Sequence, residues 1–170
     1  LEPELMNGDT QVQAYAAADF SSGDQATIEA IQRLLFATSP LPQDPLVVDL
    51  GCGPGNITLR LAGLFPQARI IGIDGAESML ALARGRAQQQ QLEMSFLCHT
   101  LQEVLRGLLL GQADLIVSNS LLHHLHQPDL LWKVSRALAA PGCRVLHRDL
   151  RRPSSDAGLQ QLLRKHLPSA

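Results

Sequence analysis

Leu46-Val47-Val48-Asp49-Leu50-Gly51-Cys52-Gly53-Pro54-Gly55 is the stretch on which the reading of this chain turns. A short apolar run carrying one acid passes directly into a segment with glycine at every second position. The run suits a strand covered on both faces. At Gly51, Gly53 and Gly55 a side chain would obstruct a ligand or forbid a positive φ, so the spacing predicts a turn that passes close to a bound molecule. A helix starting at Asn56 then directs its free N–H groups and positive dipole end at that molecule, which favours an anion such as a carboxylate. Such a turn can also be a mere tight connection. Asp49, two residues before Gly51, adds a carboxylate able to attract an ammonium, and an amino-acid moiety would suit both ends.

Working outward, apolar runs at 46–50, 69–74, 94–98, 114–118 and 143–149 read as five strands, nearly continuous rather than alternating. Between them 56–64, 77–90, 102–109 and 128–138 read as helices, the last with Leu130, Leu131, Val134 and Leu138 on one face. This βα alternation predicts a parallel sheet with helices on both sides. Two further helices, 10–18 and 24–36, are expected before the first strand, and the proline-rich loop 39–45 ends the second. A last helix is expected after Arg152-Pro153-Ser154-Ser155, with Leu159, Leu162 and Leu163 on its apolar side. The organisation expected is therefore an N-terminal helical cap, 1–45, on a ligand-binding unit, 46–170, the two making one structural body.

The second strand ends at Asp74, nineteen residues after Gly55, where an open parallel sheet places an acid that accepts hydrogen bonds from ribose hydroxyls. A strand-terminal aspartate also caps helices, and it is the glycine turn that favours the ribose. In the helix opened by Gly75-Ala76-Glu77-Ser78, Met79 either covers one face of a planar base through its polarizable sulfur or packs in the core. After the fourth strand, Ser118-Asn119-Ser120-Leu121-Leu122-His123-His124-Leu125 holds two imidazoles, able near neutrality to take a proton from an attacking group or merely to brace the loop. With His126 they lack the carboxylate or thiolate companions of a zinc site, so no metal is expected.

Composition narrows the classes. Lysine and arginine total 14 against 16 acids, a formal charge of -2, with no clustered basic surface for phosphates. Nucleic acid is not an expected partner. The most apolar stretch, 108–117, is broken by Gly111, Gln112 and Asp114 and is too short to span a bilayer. Leu1-Glu2-Pro3-Glu4-Leu5 is acidic where a secretory leader is basic, and the three cysteines form no Cys-x-x-Cys pair. A cytoplasmic, membrane-free protein is expected.

From 46 to 149 the chain resembles the class I S-adenosylmethionine-dependent methyltransferases that act on small molecules. The residues that carry the resemblance are Val47-Val48-Asp49-Leu50-Gly51-Cys52-Gly53-Pro54-Gly55, then Ile73-Asp74 with Ser78-Met79-Leu80, then the His-His-Leu at 123–125. The resemblance implies a Rossmann-like three-layer α/β sandwich, five mostly parallel strands in order 3-2-1-4-5. It implies S-adenosylmethionine as cofactor, S-adenosylhomocysteine as product, and methyl transfer by in-line displacement to a small-molecule acceptor.

It also implies roles: Gly51, Gly53 and Gly55 pass the methionine part, Asp74 and Gly75 meet the ribose, and Met79 packs on adenine. Backbone near Ser118 and Asn119 receives the ammonium, Tyr15 or Phe20 closes the pocket, and His123 and His124 are the acid–base candidates. Two departures stand out. Thr100 occupies a place where the family carries an aspartate, leaving a hydroxyl and the backbone of Leu101 to meet the adenine amino group. The last two strands of the family sheet are missing from 153–170, so the fifth strand becomes an edge that a second copy, a covering helix or a longer chain would protect. Two rival readings remain, a non-catalytic cofactor- or partner-binding domain and a nicotinamide-dependent oxidoreductase. The latter wants Gly-x-Gly-x-x-Gly, whereas the glycines here run 51, 53, 55.

Overall fold

The structure is a computed structural model that describes residues 20–150, 155–157 and 160. Its elements run α1 (Ser21–Phe36), β1 (Leu46–Leu50), α2 (Asn56–Leu64), β2 (Arg69–Asp74), α3 (Glu77–Gln89), β3 (Ser95–Cys98), α4 (Leu101–Val104), β4 (Ala113–Asn119), a 3-10 turn (Leu122–His124), α5 (Asp129–Leu138) and β5 (Ala139–Arg148). The five strands form one parallel sheet in the order β3-β2-β1-β4-β5, the order expected. The helices expected at 10–18 and beyond 152, and with them Tyr15, lie outside the described residues.

Alternation along each strand divides the core between the two faces of the sheet. Val47, Ile70, Leu115 and Val117 point to one side, where they meet Ile28 and Ile31 of α1 and Ile57 and Leu61 of α2. Leu46, Val48, Leu50, Ile71, Ile73 and Ile116 point to the other, onto Leu101 and Val104 of α4 and Leu130, Leu131, Val134 and Leu138 of α5. Both faces being covered explains why the strand sequences read as unbroken apolar runs. α1 is thus a layer helix of the sheet, seated beside α2.

Two elements differ most from expectation. The helix expected at 102–109 is a single turn, because Gly107 takes φ +132° and Leu109 φ +54°, neither of which continues a helix. β5 begins four residues early: Ala113 pairs with Ala139 but Leu115 pairs with Arg144, so Ala140, Pro141, Gly142 and Cys143 bulge out of the ladder. Gly142, at φ +80°, makes that excursion. Among the described residues no helix is long and apolar enough to cross a membrane.

Candidate functional site

The carboxyl ends of β1 and β4 diverge, since the chain leaves one toward β2 and the other toward β5, and an open sheet forms its crevice at that switch point. A cavity lies there, lined by Asp24, Asp49, the turn from Gly51 to Pro54, Asp74, Gly75 and Met79, by 99–102, and by Asn119, Leu121, His124 and Leu125.

The glycine turn is built from below. Gly51 N and Cys52 N both donate to Ile73 O, at 2.8 and 3.1 Å, hanging the turn on the end of β2. Gly51, Gly53 and Gly55 all sit at positive φ, +66°, +51° and +84°. A Cβ on Gly51 would stand 2.6 Å from Leu121 Cδ1, whereas one on Gly53 would meet no protein atom within 4 Å, on a residue that lines the cavity. Gly55 has a different part. It caps α2 and packs against Ala83 of α3, 3.2 Å from a built Cβ, and does not line the cavity.

Asp74 holds two loops together. Its Oδ2 accepts from Gly53 N and its Oδ1 from Ala76 N, each at 2.8 Å. A carboxylate offers about four acceptor positions, so two remain for a ligand such as a pair of vicinal hydroxyls. Burial pushes this carboxyl above its ordinary value, and the Ala76 and Gly53 N–H groups and nearby His124 oppose the rise. Asp49 is deeper, 1% exposed, and accepts from the Thr58 hydroxyl at 2.6 Å. Burial raises its pKa to about 7 despite the Thr58 bond, with Asp74 and Asp24 adding to the rise.

Thr100 shows what replaces an acid at its position. It is the N-cap of α4 in a capping box: Thr100 N donates to Glu103 Oε2 at 2.8 Å and Glu103 N donates to Thr100 Oγ1 at 3.3 Å. Its hydroxyl proton goes to the same Glu103 oxygen, at 2.9 Å. The spacing Thr-x-x-Glu at 100–103 carried that signal in the sequence. Leu101 and Gln102, the two residues between, both line the cavity, and nothing in the local sequence marks Gln102 for it.

The histidine loop separates its two imidazoles. His124 lines the cavity; His123 does not, but stacks on it with ring centroids 4.1 Å apart. Asp149 accounts for the difference, since its Oδ1 meets His123 Nδ1 at 2.6 Å while its Oδ2 accepts from Leu122 N at 2.6 Å. Ser118 also stands off the cavity. Its hydroxyl bonds His147 Nδ1 at 2.8 Å, and His147 Nε2 meets Ser135 Oγ at 2.9 Å. Ser135 spends its own proton on Leu131 O, 2.8 Å away, so it accepts from His147 and the ring is the neutral Nε2–H form. Burial lowers the His147 pKa, in keeping with that form.

Asn119 stays at the cavity and ties in α1. Its Oδ1 accepts from Thr27 Oγ1 at 2.9 Å and from Arg148 Nη1 at 3.2 Å, and the same guanidinium nitrogen reaches Gly23 O at 3.2 Å. Asp24, 6% exposed on the first turn of α1, is thereby brought to the cavity. In sequence it is indistinguishable from an ordinary helix-start acid, because only the long-range packing of α1 gives it this place.

A doubly wound sheet that empties its first strand into a glycine-rich turn, and ends its second in an acid clamping that turn, defines the class I S-adenosylmethionine-dependent methyltransferases. The chain belongs to this class: the model of the methyltransferase domain family matches residues 47–142. Among the relatives it resembles, a trans-aconitate 2-methyltransferase of Methylobacterium nodulans is 38% identical over 110 residues, 64% of this chain and 40% of that protein. A malonyl-[acyl-carrier protein] O-methyltransferase of Bacillus cytotoxicus is 37% identical over 97 residues, 56% of this chain and 32% of that one. The matches thus span less than half the length of these relatives. A solved S-adenosylmethionine-dependent methyltransferase of Aquifex aeolicus is similar in fold, with a TM-score of 0.67 at 17% identity over 94% of this chain and 88% of that one.

Proposed function

We propose that this protein transfers a methyl group from S-adenosylmethionine to a small-molecule acceptor. When bound, the cofactor supplies a methyl already activated on a sulfonium. The observation that supports the reading most directly is Asp74, whose carboxylate is fixed by Gly53 N and Ala76 N at the cavity wall with acceptor capacity to spare. Asp74 then holds the ribose hydroxyls, Gly51 and Gly53 let the methionine part lie along the backbone, and Met79 and Leu101 border the base. Leu121, His124 and Leu125 border the acceptor.

Positioning is the main task of such a site, since alignment for in-line displacement can contribute on the order of several kcal/mol. If the acceptor is a hydroxyl, an amine or an activated carbon, His124 is placed to take its proton. The relatives' names point instead to acids, and a carboxylate acceptor is already an anion and needs no base. We assign the acceptor to the small organic acids on that similarity, with His124 positioning rather than deprotonating it. Incubation with methyl-labelled cofactor and a panel of organic acids, alcohols and amines tests this: labelled ester should form, and labelled amine or ether alone would overturn the assignment. Calorimetry with S-adenosylhomocysteine tests the cofactor, and absence of heat and of protection would overturn it. The three free cysteines suit a reducing cytoplasm. The outer edge of β5 suits a homodimer.

A further inference from the structure

We infer that Asp24 of α1 binds the cofactor, forming with Asp49 a two-carboxylate seat for its α-ammonium. This rests on the cofactor reading above and goes beyond it, because the glycine turn, Asp74 and the family model all lie outside α1.

Acids in the first turn of a helix ordinarily face water, where the dipole stabilises them at little cost. Asp24 instead turns inward, and its residue is only 6% exposed. Arg60 approaches it at 3.9 Å, the outer limit of an ion pair, from a side chain 40% exposed and away from the cavity wall. Its place is enforced rather than incidental: Thr27, one turn on, bonds Asn119 at the end of β4, and Arg148 bonds Gly23 O immediately before it. These bonds hold the first turns of α1 against the carboxyl end of the sheet.

Asp49 by itself is a poor holder of a full positive charge. Its Oδ2 is committed to Thr58, and burial raises its pKa to about 7, which disfavours the charged form. A second carboxylate close enough to be felt by Asp49 makes good that deficit. Asp74 is engaged by the ends of the two loops and serves the ribose. Among the described residues, the cavity wall therefore carries three carboxylates and neither lysine nor arginine. An amino-acid nucleoside with an ammonium beside its sulfonium matches that charge distribution.

The test uses two probes, S-adenosylhomocysteine and its analogue lacking the α-amino group, titrated by calorimetry into the wild-type chain and into Asp24→Asn and Asp24→Glu. Loss of a charge-assisted contact should weaken S-adenosylhomocysteine roughly tenfold in Asp24→Asn and leave the deamino analogue unchanged, with partial recovery in Asp24→Glu. Binding of the analogue also reports that the variant is folded. Undiminished affinity for S-adenosylhomocysteine, or an equal loss for both probes, would overturn the role of Asp24 while leaving the cofactor reading intact. Wild-type protein that binds neither probe would overturn both.

Discussion

Asp49 is where one side chain ties stability to ligand capture. Its folded pKa of about 7 stands above the unfolded 3.8, so the fold favours the protonated form. The stability this group contributes is full below the unfolded value, declines as pH rises toward 7, and is gone above it. Asp49→Asn keeps an acceptor for Thr58 but cannot ionise. Denaturant titrations should show the variant gaining on wild type by about 1.4 kcal/mol per pH unit across that interval. A constant difference from pH 4 to 8 would contradict the assignment. Asp74→Ala belongs to the same scale. It should weaken S-adenosylhomocysteine more than tenfold, since charge-assisted bonds are lost together with the splint between Gly53 and Ala76; unchanged affinity by calorimetry would remove Asp74 from the site.

Among elements, the 3-10 turn Leu122–His124 is the one whose placement decides which imidazole reaches the cavity. Asp149 secures it through Leu122 N and His123, so it is a positioning residue. Asp149→Asn should lower kcat several-fold while cofactor affinity stays within about twofold, because among the described residues its hydrogen bonds go to Leu122, His123 and Leu150. Equal losses in kcat and cofactor affinity would point to general unfolding instead. The elements themselves were largely legible from sequence. β1 and β2 are bounded by turn residues and filled with apolar ones, and their limits match the expectation at both ends. The helix expected over 102–109 stops as α4 at Val104, and Gly107 at φ +132° forbids its continuation. The glycine turn, Asp74 and Met79 were legible because local spacing marks them. Asp24, Asp149 and the Ser118–His147–Ser135 chain were not, since each depends on partners far away along the chain.

At the scale of the molecule, one sheet separates two apolar layers, and β4 serves both through alternate residues. Leu115, fully buried between β1 and the α1–α2 layer, is central to one of them. Leu115→Ala should cost about 2–5 kcal/mol in denaturant unfolding; a loss below 1 kcal/mol would show that layer to be loosely packed. β5 pairs on one side with β4 and on the other with no described strand. Light scattering should therefore give twice the monomer mass, and a monomer at every concentration would dismiss the edge as a dimer contact. Arg148 has a practical bearing on anyone trimming this chain to a minimal domain that starts at β1. Such a cut would remove Ile28 and Ile31 from the cover of Val47, Leu115 and Val117, leaving only the α2 part of it, and deprive the guanidinium of Gly23 and Thr27. The surviving fragment would be sticky and short of an acid at its mouth, so its failure to bind would say nothing about the intact chain.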